Sequence, residues 1–190
     1  MMNARSLLLP IVFALMAVAS VSAGAGAGTG LAEEWLGSYS GTVSFSQSFP
    51  PRDDFSPRDD SDDLLPDNVR IRTHIVIAEG ATGPTIWLSV ASGAMLTAKD
   101  GETLEFGPLA PDKPANLISA IGVPHLRHAH LLVANEKLMT EVIFEHASGG
   151  VWWRYVTLTR TTDGVSVLIW VFDRDGAGAR GWSGNLPREK

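Results

Sequence analysis

The chain has 190 residues, no cysteine and a formal net charge of −6 at pH 7. An acidic chain is a poor partner for nucleic acid or for an anionic membrane surface, because both carry dense negative charge. The absence of cysteine excludes disulfide bonds and a lipid anchor attached to cysteine. The length fits one domain with a single core.

Residues 1–23 have the pattern of a signal peptide. Arg5 supplies the positive charge, residues 7–18 form a short apolar stretch, and small residues follow at 21–23. The apolar stretch is too short to span a bilayer comfortably, and no second long apolar run follows. We therefore expect a protein exported to the periplasm or the cell exterior. Residues 24–30 (GAGAGTG) would be a flexible spacer, and residues 31–190 a single domain.

The first two strands are predicted at residues 37–47 and 69–79, where apolar and polar residues alternate. An acidic loop at residues 49–68 separates them and contains seven aspartates and four prolines. It has no glycine and matches no calcium-binding loop, so we interpret it as a solvated loop.

Shorter strands are predicted at residues 85–91, 94–99 and 102–106. The Asp100-Gly101 turn would pair Thr97 with Leu104, because Asp-Gly between alternating runs is a strong hairpin signal. Residues 114–122 (PANLISAIG) predict the one substantial helix. A proline stands in its first turn, three large apolar residues share a face, and Gly122 ends it.

Two hairpins are predicted in the final third of the chain. A turn at Asn135-Glu136 would place His130 opposite Glu141, and a turn at Asp163-Gly164 would place Arg154 opposite Asp173. Residues 165–172 are apolar on both faces, so their outer side needs a cover. The helix at 114–122 and the segment around Trp35 are the two candidates.

These elements predict an all-β protein. We favour an antiparallel up-and-down β-barrel of about eight to nine strands with one short helix, because neighbouring strands are joined mostly by short turns. A β-sandwich is the alternative, since it also manages the exposed edges of a sheet.

The stretch Trp35-Leu36-Gly37-Ser38-Tyr39-Ser40-Gly41 resembles the start of lipocalin-like (calycin) β-barrels, in which a short helical entry leads into the first strand. The usual order of Gly before Trp is reversed here. The acidic loop lies where such barrels carry a lid. The resemblance implies binding of a small, largely apolar molecule.

An eight-stranded barrel is wide enough to hold one small ligand. The leading hypothesis is therefore an exported, cofactor-free module with an apolar cavity that binds a small molecule or a partner, with no nucleic acid and no membrane span. The candidate ligand-binding residues are aromatic: Tyr39, Phe45, Trp87, Trp153 and Tyr155.

The competing hypothesis is a metal-binding protein or a metal-dependent enzyme. His128 and His130 share one strand face, and the predicted hairpin sets Glu141 across from His130. Two imidazoles and a carboxylate match a three-ligand zinc site with an open position. A surface pairing of His and Glu is the alternative interpretation. No nucleophile motif is present, so the sequence favours binding over catalysis.

Overall fold

The computed structural model describes residues 31–49, 70–90, 101–123, 125–145, 150–173 and 179–190. The predicted signal peptide, the spacer and residues 50–68 of the acidic loop lie outside these ranges. A 3-10 helix (Glu33–Trp35) precedes ten strands in the described part of the chain. No described helix is long and apolar enough to cross a membrane. The strands are β1 (Gly37–Phe49), β2 (Ile71–Glu79), β3 (Pro84–Val90), β4 (Glu102–Phe106), β5 (Ala115–Ile121), β6 (Leu126–Ala134), β7 (Lys137–Glu145), β8 (Val151–Arg160), β9 (Gly164–Asp173) and β10 (Ala179–Pro187).

The strands form one closed barrel. Each pairs antiparallel with its neighbours in the chain, and β10 returns to pair with β1. The predicted up-and-down β-barrel is therefore confirmed, with ten strands in place of eight to nine. Closure leaves no strand at the edge of an open sheet, which removes the edge that other chains could pair with.

The predicted helix at residues 114–122 is wrong, because this segment forms β5. Ala120 lies opposite Leu104 on β4, and Ala115 lies opposite Leu131 on β6. Its apolar spacing suits a helix locally, but β4 needs a hydrogen-bonding neighbour for the barrel to close, and this requirement overrides local preference. Ile118 and Ile121 are consequently left 53% and 70% exposed.

The predicted pairing of Leu104 with Thr97 across Asp100-Gly101 is also wrong. Residue Leu104 of β4 lies opposite Ile86 of β3, where Thr97 was expected. Every second residue of β3 is buried, so this strand turns an apolar face to the core beside β4. Residues 91–100 lie outside the described ranges, and the link between β3 and β4 is longer than a two-residue turn.

The β6–β7 hairpin has the predicted turn, with Asn135 at a positive φ of 52°. His130 lies opposite Glu141, as predicted. A bulge between Leu126 and His128 then shifts the register, so that Phe144 faces Leu126, whereas the same turn without a bulge would set it opposite Arg127. Bulges insert one unpaired residue and leave no sequence signal of their own here.

The β8–β9 register differs from the prediction by two residues. The turn is formed by Thr162 and Asp163, so Arg154 lies opposite Val171 and not opposite Asp173. A Cβ on Gly164 would come within 2.8 Å of Pro187 Cα. Gly164 therefore allows close approach of β10 and does not form the turn. A shift of two residues keeps every side chain on its predicted face.

The barrel interior is filled by side chains from all ten strands, mostly aliphatic. Trp35 of the 3-10 helix is 1% exposed and packs into this core, with the Arg160 guanidinium 5.8 Å from its ring centroid. The segment around Trp35 thus contributes to the core and does not cover the outer side of β9.

Candidate functional site

The five predicted ligand-binding aromatics do not line one cavity. Tyr39 is 2% exposed inside the barrel, where its hydroxyl donates to the Trp35 carbonyl at 3.0 Å. Phe45 packs edge-on against Trp182. The other three, Trp87, Trp153 and Tyr155, alternate with buried residues of their strands and so lie on the outer side of the barrel.

The interior has little free space among the described residues. One cavity of about 10 Å³ lies between β2, β3, β4, β7 and β8. A water molecule needs roughly 10–15 Å³, so this space is far too small for a lipid-sized ligand. Its lining residues are Ile75, Ile86, Leu88, Glu102, Leu104, Leu138, Thr140, Val156 and Leu158.

A buried ion pair crosses the interior beside this cavity. Glu102 on β4 and Arg154 on β8 are each 2% exposed, and Arg154 donates to both carboxylate oxygens of Glu102, one of these contacts being 3.0 Å. Burial raises the pKa of Glu102, and the charge and hydrogen bonds of Arg154 oppose that rise. The pair joins two strands on different sides of the barrel, and both side chains are shielded from solvent.

The outer surface divides into a polar half and an apolar half. Outward residues of β1–β4 are mainly hydroxyl-bearing or charged, namely Ser38, Ser40, Thr42, Ser44, Arg72, His74, Thr85, Ser89, Thr103 and Glu105, with Val76, Ala78 and Trp87 among them. Outward residues in the middle of β6–β9 are half-buried and mostly large and apolar. We call this second set the apolar face, which has Glu141 and Thr157 among its residues: Leu132, Met139, Ile143, Trp153, Tyr155, Leu168, Trp170 and Phe172.

The aromatic members of the apolar face hold one another in place. The rings of Tyr155 and Phe172 are stacked, with centroids 5.4 Å apart and an interplanar angle of 11°. Trp153 meets Phe172 edge-on at 5.3 Å. Such pairs contribute about 0.5–1.5 kcal/mol each beyond their buried area, so these rings form a firm surface.

Of the predicted metal ligands, Glu141 lies within the apolar face and the two histidines lie beside it on β6. The Nε2 atoms of His128 and His130 are hydrogen-bonded, and their rings cross at 89° with centroids 3.9 Å apart. Burial and the neighbouring His128 lower the pKa of His130, an effect that Glu141 partly opposes. Glu141 itself accepts a hydrogen bond from the Tyr155 hydroxyl. Within the described ranges, no three His, Asp or Glu side chains are grouped closely enough to hold a metal ion.

The Tyr155 hydroxyl is a poor source of protons in this setting. Burial raises its pKa, and the adjacent Glu141 carboxylate raises it further, because a phenolate would lose the hydrogen bond and face a like charge. Tyr155 therefore serves as a hydrogen-bond donor and an apolar surface, not as an acid.

A cleft of about 730 Å³ lies at the end of the barrel where the β6–β7 and β8–β9 turns meet the C-terminal segment. Arg160 on its wall is ion-paired with Glu34 and Glu136. Acidic and basic side chains are nearly equal in number, so the cleft does not select for ligand charge. Its lining comprises Glu34, Tyr39, Glu136, Arg160, Thr161, Thr162, Asp163, Gly164, Arg188, Glu189 and Lys190.

The structure also assembles a cluster that sequence reasoning missed. Ser38 Oγ lies 2.7 Å from His74 Nε2, and both Ser38 and Ser40 donate to the carboxylate of Glu189. Glu189 is 149 residues away from Ser40, so only strand pairing brings them together. The cluster does not form a catalytic triad, because the one Ser38 proton is directed to the carboxylate and His74 is left without it.

Comparison with protein-family models, curated proteins and solved structures finds no match to this chain. Its architecture is that of a closed, antiparallel, ten-stranded barrel, which is consistent with a calycin-like β-barrel.

Proposed function

We propose that this protein is an exported interaction module that binds the surface of a partner protein through the apolar face of β6–β9. The observation that carries the proposal is the contrast between the two halves of the outer surface. Large apolar side chains cluster on one half, whereas hydroxyl groups and charges dominate the other. Contiguous apolar patches on soluble proteins mark interaction sites.

The described part of the chain offers no cover for the apolar face. The two segments expected to cover it have other roles: Trp35 packs into the core, and residues 115–121 form β5 of the barrel wall. Burying apolar surface is favourable by about 25 cal/mol per Å², so a partner that covers these side chains gains stability from each of them.

The composition of the face suits a protein partner. Trp and Tyr dominate the binding energy at protein interfaces, and Trp153, Tyr155 and Trp170 lie on adjacent strands here. Glu141 lies within the face opposite Tyr155, and His128 and His130 lie beside it on β6, so these three residues supply polar groups to the interface. Ring stacking fixes the side chains before binding, which lowers the entropy lost on association.

We also propose that the protein is exported and that it is related to lipocalin-like barrels. Export is supported by the pattern of residues 1–23, and kinship by the up-and-down topology with a 3-10 helix and Trp35 before β1.

A small apolar ligand and a zinc ion are the competing candidates for what this protein binds. A lipid-sized mass that co-purifies with the protein in native mass spectrometry would support binding of a small apolar ligand. Binding of zinc at micromolar concentration, abolished by His130→Ala, would support a metal site.

Site-specific photo-crosslinking in the native host tests the proposal. A benzophenone side chain at position 153 should give a discrete crosslinked band, and one at position 85, an outward threonine on the polar half, should not. Mass spectrometry of the band identifies the attached protein. Equal crosslinking at both positions, or a crosslink within the same chain only, would contradict a partner-binding face.

A further inference from the structure

Both carboxylate oxygens of Glu189 are bound by hydroxyl groups of one strand. Ser38 donates to Oε2 and Ser40 donates to Oε1, and the two serines share a face of β1 because they are two residues apart. His74 Nε2 lies 3.7 Å from Oε2. This donor set matches the two-oxygen geometry of a carboxylate.

The direction of each hydrogen bond follows from the number of protons. Ser38 has one hydroxyl proton, which it donates to Glu189, so the 2.7 Å contact with His74 requires His74 Nε2–H to donate to Ser38 Oγ. A chain of donors therefore runs from the imidazole through the hydroxyl to the carboxylate. Donors linked in this way polarise one another, which strengthens the final bond to an anion.

The donors are held by the barrel and not by Glu189. Ser40 lies opposite His74 in the β1–β2 ladder, and the His74 ring meets Trp87 edge-on at 4.9 Å. Glu189 lies near the C-terminus and is attached here by its backbone N–H, which donates to the Ser38 carbonyl at 2.8 Å. The binding groups thus lie on rigid strands, while the carboxylate lies on a terminal segment.

We propose that Ser38, Ser40 and His74 form a carboxylate-binding site that Glu189 occupies from within the same chain. An external carboxylate, from a small organic acid or a peptide C-terminus, takes the same donors when it displaces Glu189. This site lies on the polar half of the barrel, so it is independent of the apolar face and of the partner proposed for it.

The expected affinity is modest because the site is open to solvent: His74 and Glu189 are 40% and 48% exposed. A tethered group acts at an effective concentration on the order of millimolar, so Glu189 competes strongly with a free carboxylate. For an intrinsic Kd of about 0.1 mM or below, removing its side chain should therefore improve binding of a free carboxylate by about tenfold or more.

The test follows the imidazole NMR signal of His74 in the full chain, assigned with His74→Gln, during titration with acetate at constant ionic strength. Glu189→Ala should bind acetate with saturation, at least tenfold more tightly than the wild type. Glu105→Ala is the matched control, because Glu105 also accepts a hydroxyl hydrogen bond on the polar half, from Thr82 at 2.9 Å, and should leave acetate binding at the wild-type level.

Adding Ser38→Ala and Ser40→Ala to Glu189→Ala should abolish acetate binding while the amide spectrum remains that of the folded barrel. A parallel titration with N-acetyl-dialanine distinguishes the sources: tighter binding than acetate indicates a peptide C-terminus, and equal or weaker binding a small acid. Equal acetate affinity in wild type and Glu189→Ala, or binding that survives loss of both serines, would overturn the proposal and leave Glu189 as a structural contact.

Discussion

Replacing Arg154 with methionine removes one charge of a buried pair and leaves the other. At 3.0 Å and an effective dielectric constant of about 20, the attraction between these two charges is about 5 kcal/mol. The variant loses that attraction while the Glu102 carboxylate remains 2% exposed. Breaking a buried pair in this way costs about 3–5 kcal/mol, and we expect a loss of that size in the free energy of unfolding at pH 7.

Acidity should partly restore the Arg154→Met variant. Burial already raises the pKa of Glu102, and removing Arg154 removes what opposes the rise. An acid whose folded-state pKa is raised contributes stability that is present below its unfolded pKa and is lost as pH rises through the folded pKa. The free energy of unfolding of the variant should therefore increase from pH 7 to pH 5 relative to wild type.

Urea unfolding followed by tryptophan fluorescence at both pH values measures these differences. The control is Arg154→Met combined with Glu102→Leu, which removes both charges and should recover most of the loss, because apolar replacement of a buried pair is often neutral. A double variant as unstable as the single one, or a single variant within about 1 kcal/mol of wild type, would refute the role assigned to the pair.

Three further outcomes are expected. Gly184→Ala should lower the free energy of unfolding, measured in urea, by more than about 2 kcal/mol, because its Cβ would lie 3.0 Å from Val43 Cα and closer still to the Thr42 carbonyl. The control is Gly107→Ala, which should be nearly neutral because the nearest atom to its Cβ would be 3.6 Å away. Glu141→Gln should lower the Tyr155 pKa measured by ultraviolet titration, because the carboxylate raises it, and an unchanged value would contradict that contact. Hydrogen bonds from Ser38 and Ser40 lower the pKa of Glu189, so the stability that the Glu189 carboxylate contributes is present above its unfolded-state pKa and is lost as pH falls through its folded-state pKa. The difference in free energy of unfolding between wild type and Glu189→Ala should therefore shrink in acid, and a difference independent of pH would contradict the role of these hydrogen bonds.

The candidate surfaces could be anticipated from sequence only in part. Residues 165–172 are apolar on both faces, which predicts an apolar outer side, and the structure has Trp170 and Phe172 there. The β6–β7 turn predicts His130 opposite Glu141, which is confirmed. The sequence gives no sign of Glu102 facing Arg154, or of Glu189 reaching Ser38, because those pairs are 52 and 151 residues apart.

The amino-acid sequence by itself determined the class of fold and the face of most strand residues. Period-two alternation is a local property, and it survives a register error of two residues, as in β8 and β9. Only the tertiary structure decided that residues 115–121 form a strand, that the interior is filled, and that one outer half is apolar. These outcomes depend on which strands become neighbours when the barrel closes, and closure is a property of the whole chain that no short stretch of sequence specifies.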